Sequence, residues 1–192
     1  MSRGKKENFI LRSTTWFALD VRSFLATVSL PIAFLAAATI AAPLSRADGG
    51  ITLREGWTVQ SSAKVSASAE TISSAGFDAS SWYKTSAPNT VFAVLVENGL
   101  YKDPYFGMNL RSVPGVSYAI GSEFANQEMP ENSPFAVPWW YHKEFEVPAQ
   151  FSGKTVWLAF RGINYRADIW INGKKIAGSD QVVGAFRPMN LM

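Results

Sequence analysis

The segment Ala167-Asp-Ile-Trp-Ile-Asn-Gly-Lys-Lys-Ile-Ala177 leaves the chain few folds to choose from. Ala167, Ile169 and Ile171 alternate with Asp168 and Trp170, the period of two expected of a half-buried strand. Asn172-Gly173 follows, a pair that tolerates the two positive φ angles of a type I′ turn, and Lys174–Ala177 supplies the return strand. A β-hairpin is expected here, and with it an antiparallel sheet.

Other strand signals precede it. Trp139–Val147 starts directly after Pro138, a place where a strand tolerates proline, and Thr155–Phe160 follows Ser152-Gly153-Lys154. Strands at this spacing, separated by Gly and Pro, predict an all-β sandwich rather than a βαβ fold. Between Asp48 and about Ser80 the chain is rich in Ser, Ala, Thr and Gly, with no long 3.6-residue periodicity, and reads as first strands and loops. Val91–Gly99 fits either a buried strand or a short helix ended by Asn98-Gly99. Residues 101–138 read as a long loop punctuated by Pro104, Gly107, Pro114-Gly115, Pro130, Pro134 and Pro138, and a long loop in a compact domain is usually functional. Ala185–Met192 looks like a further strand beginning. A sandwich broken off there leaves an open edge, so the chain reads as a fragment lacking C-terminal strands.

Composition removes several chemistries. There is no cysteine, hence no disulfide, thiol nucleophile or thiolate metal site, and His142 is the only histidine, too few for a histidine metal cluster. Neither a nucleophile elbow nor a glycine-rich phosphate loop is present. No cofactor and no metal are expected. The formal charge of +3 owes much to Arg3, Lys5, Lys6, Arg12 and Arg22, so the rest offers no basic face for nucleic acid. Those same cations precede residues 24–42, which are apolar and uncharged, and Ser45-Arg46-Ala47, which places small residues where a signal peptidase needs them. Residues 1–47 are therefore expected to be a signal peptide cleaved near Ala47, with an uncleaved membrane anchor as the alternative. Residues 48–192 form the mature domain, secreted or periplasmic, which meets a membrane only during export.

Six pieces of the chain, in order, resemble the N-terminal sugar-binding domain of glycoside hydrolase family 2, in the branch of exo-β-D-glucosaminidases and β-mannosidase-like enzymes. They are Gly56-Trp57 with Gln60-Ser61-Ser62; Ala87–Val91; Gly99 with Asp103–Arg111; Pro138–Tyr141; Phe160–Gly173; and Val183–Phe186. The resemblance implies a jelly-roll, galactose-binding-like sandwich. In such enzymes it precedes immunoglobulin-like domains and a (β/α)8 barrel, on which it packs. It also implies retaining hydrolysis by two glutamates about 5 Å apart, both carried by the barrel and so outside this chain.

The resemblance and the residue types together nominate candidates for binding a β-linked oligosaccharide or glycoside. Asp103, Tyr105 and Asn109 form a loop suited to hydrogen-bonding hydroxyls and stacking on a sugar, or equally to an Asx-turn between domains. Trp139 and Trp140 alternate on a strand, so one is expected in the core and one outward, on a sugar or a domain interface. Asp180 follows the hairpin, where some family members place an acidic residue near the substrate, and a carboxylate can accept two hydroxyl hydrogen bonds. Asp168 is expected to be structural, paired with Arg161 or Arg166, and His142 to be a surface or satisfied core histidine. No catalytic residue is assigned. The leading reading is a non-catalytic domain of a secreted glycosidase acting on glucosaminyl, mannosyl or related sugars. A stand-alone carbohydrate-binding module and a β-sandwich adhesion domain are the alternatives.

Overall fold

The hairpin forms as the alternation requires. Strand β8 (Ala167–Ile171) turns through Asn172 and Gly173, at φ of 48° and 79°, into β9 (Lys174–Ala177). A register shift between Ile169 and Trp170 marks a bulge in the pair. The computed structural model describes residues 5–13, 17–18, 50–113, 129–185 and 187–192. The apolar stretch 24–42 and the Ser45-Arg46-Ala47 site lie outside the described residues.

In chain order the other elements are β1 (Lys5–Ser13), β2 (Phe17–Ala18), β3 (Trp57–Ser61), α1 (Ala69–Ile72), β4 (Tyr83–Thr85), α2 (Val91–Glu97), β5 (Trp139–Val147), β6 (Leu158–Phe160), β7 (Gly162–Ile163) and β10 (Met189–Leu191). A six-stranded sheet runs β4-β3-β5-β1-β8-β9, and every neighbouring pair in it is antiparallel. Two-stranded ladders of β6 with β10 and of β2 with β7 complete the all-β sandwich. Residues 5–13, read from sequence as part of the basic head of a leader, form an interior strand of the main sheet.

Both faces of that sheet are covered. On one, Trp57, Val59, Trp139, Tyr141, Ala167 and Ile169 join Val94 and Leu95 of α2 and Leu158 and Phe160 of β6 in the larger core. On the other, Trp140 and Trp170 pack with Ile72 of α1, Ala79 and Trp82. Trp170 is thus buried, where simple alternation expected an outward residue. The cause is a short helix, α1, whose Ser68 cap accepts the Thr71 N–H. A stretch with no helical periodicity folds over the outer face and seals it.

Val91–Glu97 is a helix, which settles the open reading. Thr90 Oγ1 accepts the Ala93 N–H at 3.0 Å, and the Asn98 side chain donates to the Val94 carbonyl at 2.8 Å. Gly99 then takes a φ of 76°, which glycine adopts without a Cβ clash. With both ends capped, Val91, Val94 and Leu95 share one helical face against the core. The strand expected over Thr155–Phe160 contracts to Leu158–Phe160. Met189–Leu191 is the strand anticipated near residue 192.

Candidate functional site

The loop that follows α2 is built from the core outward. Tyr101 stacks on Phe92 at 5.7 Å between ring centroids, and Phe135 meets Phe92 edge-on at 5.9 Å. The Trp139 indole N–H donates to the Pro134 carbonyl at 3.0 Å, tying the far limb of the loop to β5. Burial raises the Tyr101 hydroxyl pKa, with Tyr83 adding a smaller push, so that ring serves as an uncharged prop.

Above this base Asp103 organises a tight turn. Its Oδ1 accepts the Tyr105 N–H at 2.9 Å, an Asx-turn, while its carbonyl accepts from the Phe106 N–H and from Asn109 Nδ2. Phe106 in turn accepts the Asn109 N–H, and Asn109–Ser112 winds into a 3₁₀ turn. The polar groups of Asp103 and Asn109 are thus largely spent on the loop itself. What the loop displays is apolar: Tyr105 is 96% exposed, Phe106 76%, and Met108 is exposed beside them. Phe106 was read from sequence as part of this loop, whereas Met108 was not singled out as a candidate. The signal was there, a run of Tyr-Phe-Gly-Met held between Pro104 and Asn109 in a stretch with no strand or helix pattern to bury it.

The remaining candidates are dispersed. Trp139 and Trp140 are each only 4% exposed, so the expectation that one of them faces outward is corrected. They do point to opposite faces, as the strand demands, but each face carries its own core. Trp140 meets Trp170 edge-on at 5.7 Å. Trp139 lies under the loop and bears on it through Pro134. Asp180 is exposed in the turn where Val182 and Gln181 donate to the Gly178 carbonyl, beyond the hairpin. Asp103, Tyr105 and Asn109 are therefore gathered in one loop with Trp139 beneath it, while Trp140 belongs to the opposite face.

Two further side chains resolve differently from their expectations. Asp168 pairs with Lys175 across the hairpin at 2.7 Å and accepts the Ser179 N–H at 2.9 Å, where Arg161 or Arg166 was expected as its partner. The bulge and the tight turn bring Lys175 alongside. His142 is buried, with Phe77 and Trp82 edge-on around it, and its Nε2 has no hydrogen-bond partner among the described residues. Burial lowers its pKa; Glu144 partly opposes the effect and Lys143 adds to it.

A cavity of about 230 Å³ opens between the sheets, lined predominantly by apolar side chains, among them Phe145, Leu158, Ile171, Ile176 and Leu191. A sugar needs convergent hydrogen-bonding groups for its hydroxyls, and this predominantly apolar lining is poorly suited to supply them. Among the described residues no three His, Asp or Glu side chains are grouped to hold a metal ion, and no helix is long and apolar enough to cross a membrane.

Comparison with known proteins bears on the family of the chain. Residues 124–191 match the family described as glycosyl hydrolase 2 galactose-binding domain-like. The chain is 38% identical over 151 residues to an exo-β-D-glucosaminidase of Amycolatopsis orientalis, a match covering 78% of this chain and 13% of that protein. An exo-β-D-glucosaminidase of Streptomyces avermitilis is 36% identical over 143 residues, 74% of this chain and 14% of its own. The crystal structure of the Amycolatopsis orientalis exo-chitosanase superposes with a TM-score of 0.58 at 36% identity, covering 71% of this chain and 14% of that one. The chain thus spans about an eighth of the length of these relatives.

Proposed function

Since the chain carries the galactose-binding-like domain of glycoside hydrolase family 2, we propose that it is the non-catalytic β-sandwich of an exo-acting glycosidase whose substrates are β-linked glucosaminyl residues. The similarity to exo-β-D-glucosaminidases over 78% of the chain carries this reading. The two catalytic glutamates of retaining hydrolysis belong to a barrel outside these residues, and the domain's work is to complete the approach to it. In this reading the Tyr105-Phe106 loop is the contact element. A ring that exposed costs apolar hydration when alone and gains when a sugar face or a neighbouring domain covers it. Asp103 and Asn109 hold the loop's shape, Trp139 supports it from below, Trp140 locks the sheet on its far side, and the exposed Asp180 carboxylate offers acceptors to sugar hydroxyls. Residues 1–47 act as an export leader, a reading supported by the cations ahead of the uncharged stretch 24–42 and by Ser45-Arg46-Ala47.

A hybrid enzyme tests the assignment. This domain replaces the matching region of the Amycolatopsis orientalis exo-β-D-glucosaminidase, and turnover of a p-nitrophenyl β-D-glucosaminide is followed. The hybrid is expected to turn over, and Tyr105→Ala in it to lower kcat/KM about tenfold, the equivalent of one lost ring contact of about 1.4 kcal/mol. A folded hybrid with no turnover, or one indifferent to Tyr105→Ala, overturns the reading. The second reading, a stand-alone carbohydrate-binding module, is favoured by the exposure of Tyr105 itself. Saturable binding of β-linked glucosamine oligomers by the purified chain, lost in Tyr105→Ala, would select it.

A further inference from the structure

Asn-Gly occurs twice in the chain, at 98–99 and 172–173, and it is the pair in which a side-chain carboxamide and the following backbone nitrogen react most readily with each other. Glycine offers that nitrogen no Cβ to hinder the approach. Asn98 and Asn172 are both exposed, so access to solvent does not separate them. Their hydrogen bonds do. At the C-terminus of α2 the Asn98 carboxamide donates to the Lys84 and Val94 carbonyls at 3.0 and 2.8 Å, and the Gly99 N–H donates to the Val96 carbonyl at 2.9 Å. Both reacting groups of that pair are held by backbone.

In the hairpin the Gly173 N–H donates instead to a side chain, Ser73 Oγ, at 3.1 Å and 100 positions away in sequence. Ser73 follows the last turn of α1 and is 0% exposed. Its hydroxyl donates to the Ala69 and Glu70 carbonyls at 2.9 and 3.2 Å, which leaves its lone pairs to accept from Gly173. Gly173 also sits tight against this helix end: a Cβ built on it would lie 3.2 Å from Ser74 Oγ and 3.6 Å from the Glu70 carbonyl oxygen. The nitrogen therefore cannot turn toward the Asn172 side chain without leaving Ser73. A hydrogen bond donated by an amide also disfavours loss of its proton, the step that makes the nitrogen nucleophilic.

We propose that Asn172-Gly173 is a spontaneous modification site, converted through a succinimide to aspartate and isoaspartate, and that Ser73 governs its rate by holding the Gly173 N–H. The Gly173 nitrogen bonds to the carbonyl carbon of the Asn172 side chain, and its proton departs with the carboxamide nitrogen as ammonia. Water then opens the ring at either carbonyl, so the sequence of steps consumes only solvent. Isoaspartate adds a methylene to the main chain of a two-residue turn, which displaces Gly173 from Ser73 and loosens α1 from the hairpin.

Peptide mapping of the full chain reads the reaction directly, since trypsin releases Ala167–Lys174 with Asn172 as its single asparagine. The chain and its Ser73→Ala variant are held in warm, mildly alkaline buffer made with oxygen-labelled water, and the label entering positions 172 and 98 is followed by mass spectrometry. In Ser73→Ala the rate at 172 is expected to rise about two- to tenfold, the equivalent of one hydrogen bond, with the rate at 98 unchanged. An unchanged rate at 172 overturns the proposal. An equal rise at both sites also overturns it, because general loosening rather than the Ser73 contact would then set the rate. A second measurement needs no variant. In concentrated urea the unmodified chain is expected to take up label at 172 several times faster than in buffer, and either equal rates in the two solvents or no product at 172 refutes the assignment.

Discussion

Acidification should weaken this domain through one side chain, His142. It is 6% exposed, its Nε2 is unpartnered among the described residues, and aromatic rings stand around it, so the imidazolium form is disfavoured in the folded chain and its pKa lies below the ordinary 6.5. The sign follows from proton counting. Above pH 6.5 the imidazole is neutral in both states and costs nothing. Below 6.5 the unfolded chain takes up a proton that the folded chain refuses, so stability falls as pH falls, by at most about 1.4 kcal/mol for each pH unit until the folded pKa is reached. At pH 5.5 the loss is therefore at most about 1.4 kcal/mol, a sizeable part of a small domain's stability. The carboxylates with lowered pKa values, Glu70 and Asp78, titrate in the unfolded chain near 4.5 and 3.8, so their effects belong to a lower pH range. Urea unfolding, followed by the fluorescence of the seven tryptophans, is to be measured at pH 7.5 and pH 5.5 for the wild type and for His142→Leu. The wild type should lose stability between the two and the variant should lose much less, because leucine fills the space without a titrating group. An equal loss in both proteins would refute the argument.

Other outcomes follow from the same geometry. Trp140→Ala empties a site shared with Trp170 and should cost about 3–5 kcal/mol in urea unfolding, whereas a surface ring would cost almost nothing. Gly173→Ala places a Cβ at a φ of 79° and 3.2 Å from Ser74 Oγ, and should lower stability by about 1–2 kcal/mol in thermal unfolding. Thr90→Ala removes the cap of α2 and should cost about 1 kcal/mol, with faster amide exchange at Ala93 as its local signature. Asp168→Asn weakens the contacts to Lys175 and to the Ser179 N–H; since Lys175 is half exposed, the expected cost stays near 1 kcal/mol or below and shrinks in high salt.

How much of this was legible in the chain varied with the range of the forces involved. The hairpin was readable because a two-residue period and an Asn-Gly turn are local, and φ angles of 48° and 79° are what those two residues tolerate. The sandwich class was readable from strand spacing, and the family from six ordered pieces. The ends of α2 were legible as Thr90 and Asn98-Gly99, yet strand or helix stayed open until the caps and the core face were seen together. Asp103, Tyr105 and Asn109 belong to one loop because their bonds are only a few residues apart in sequence.

What the tertiary structure alone decided was burial and partnership. Alternation says that Trp139 and Trp140 point in opposite directions, but not that α1 covers the second face, because that depends on a contact between residues about seventy positions apart. Asp168 chose Lys175 over the two arginines because the bulge and turn set their spacing. The place of Lys5–Ser13 was beyond any local reading. Its basic, mixed pattern suits the head of a leader, and only pairing with β5 and β8, assembled from distant parts of the chain, makes it a strand. Local steric preference is encoded residue by residue, whereas a partner across the sheet exists only once the rest of the chain has folded to present it.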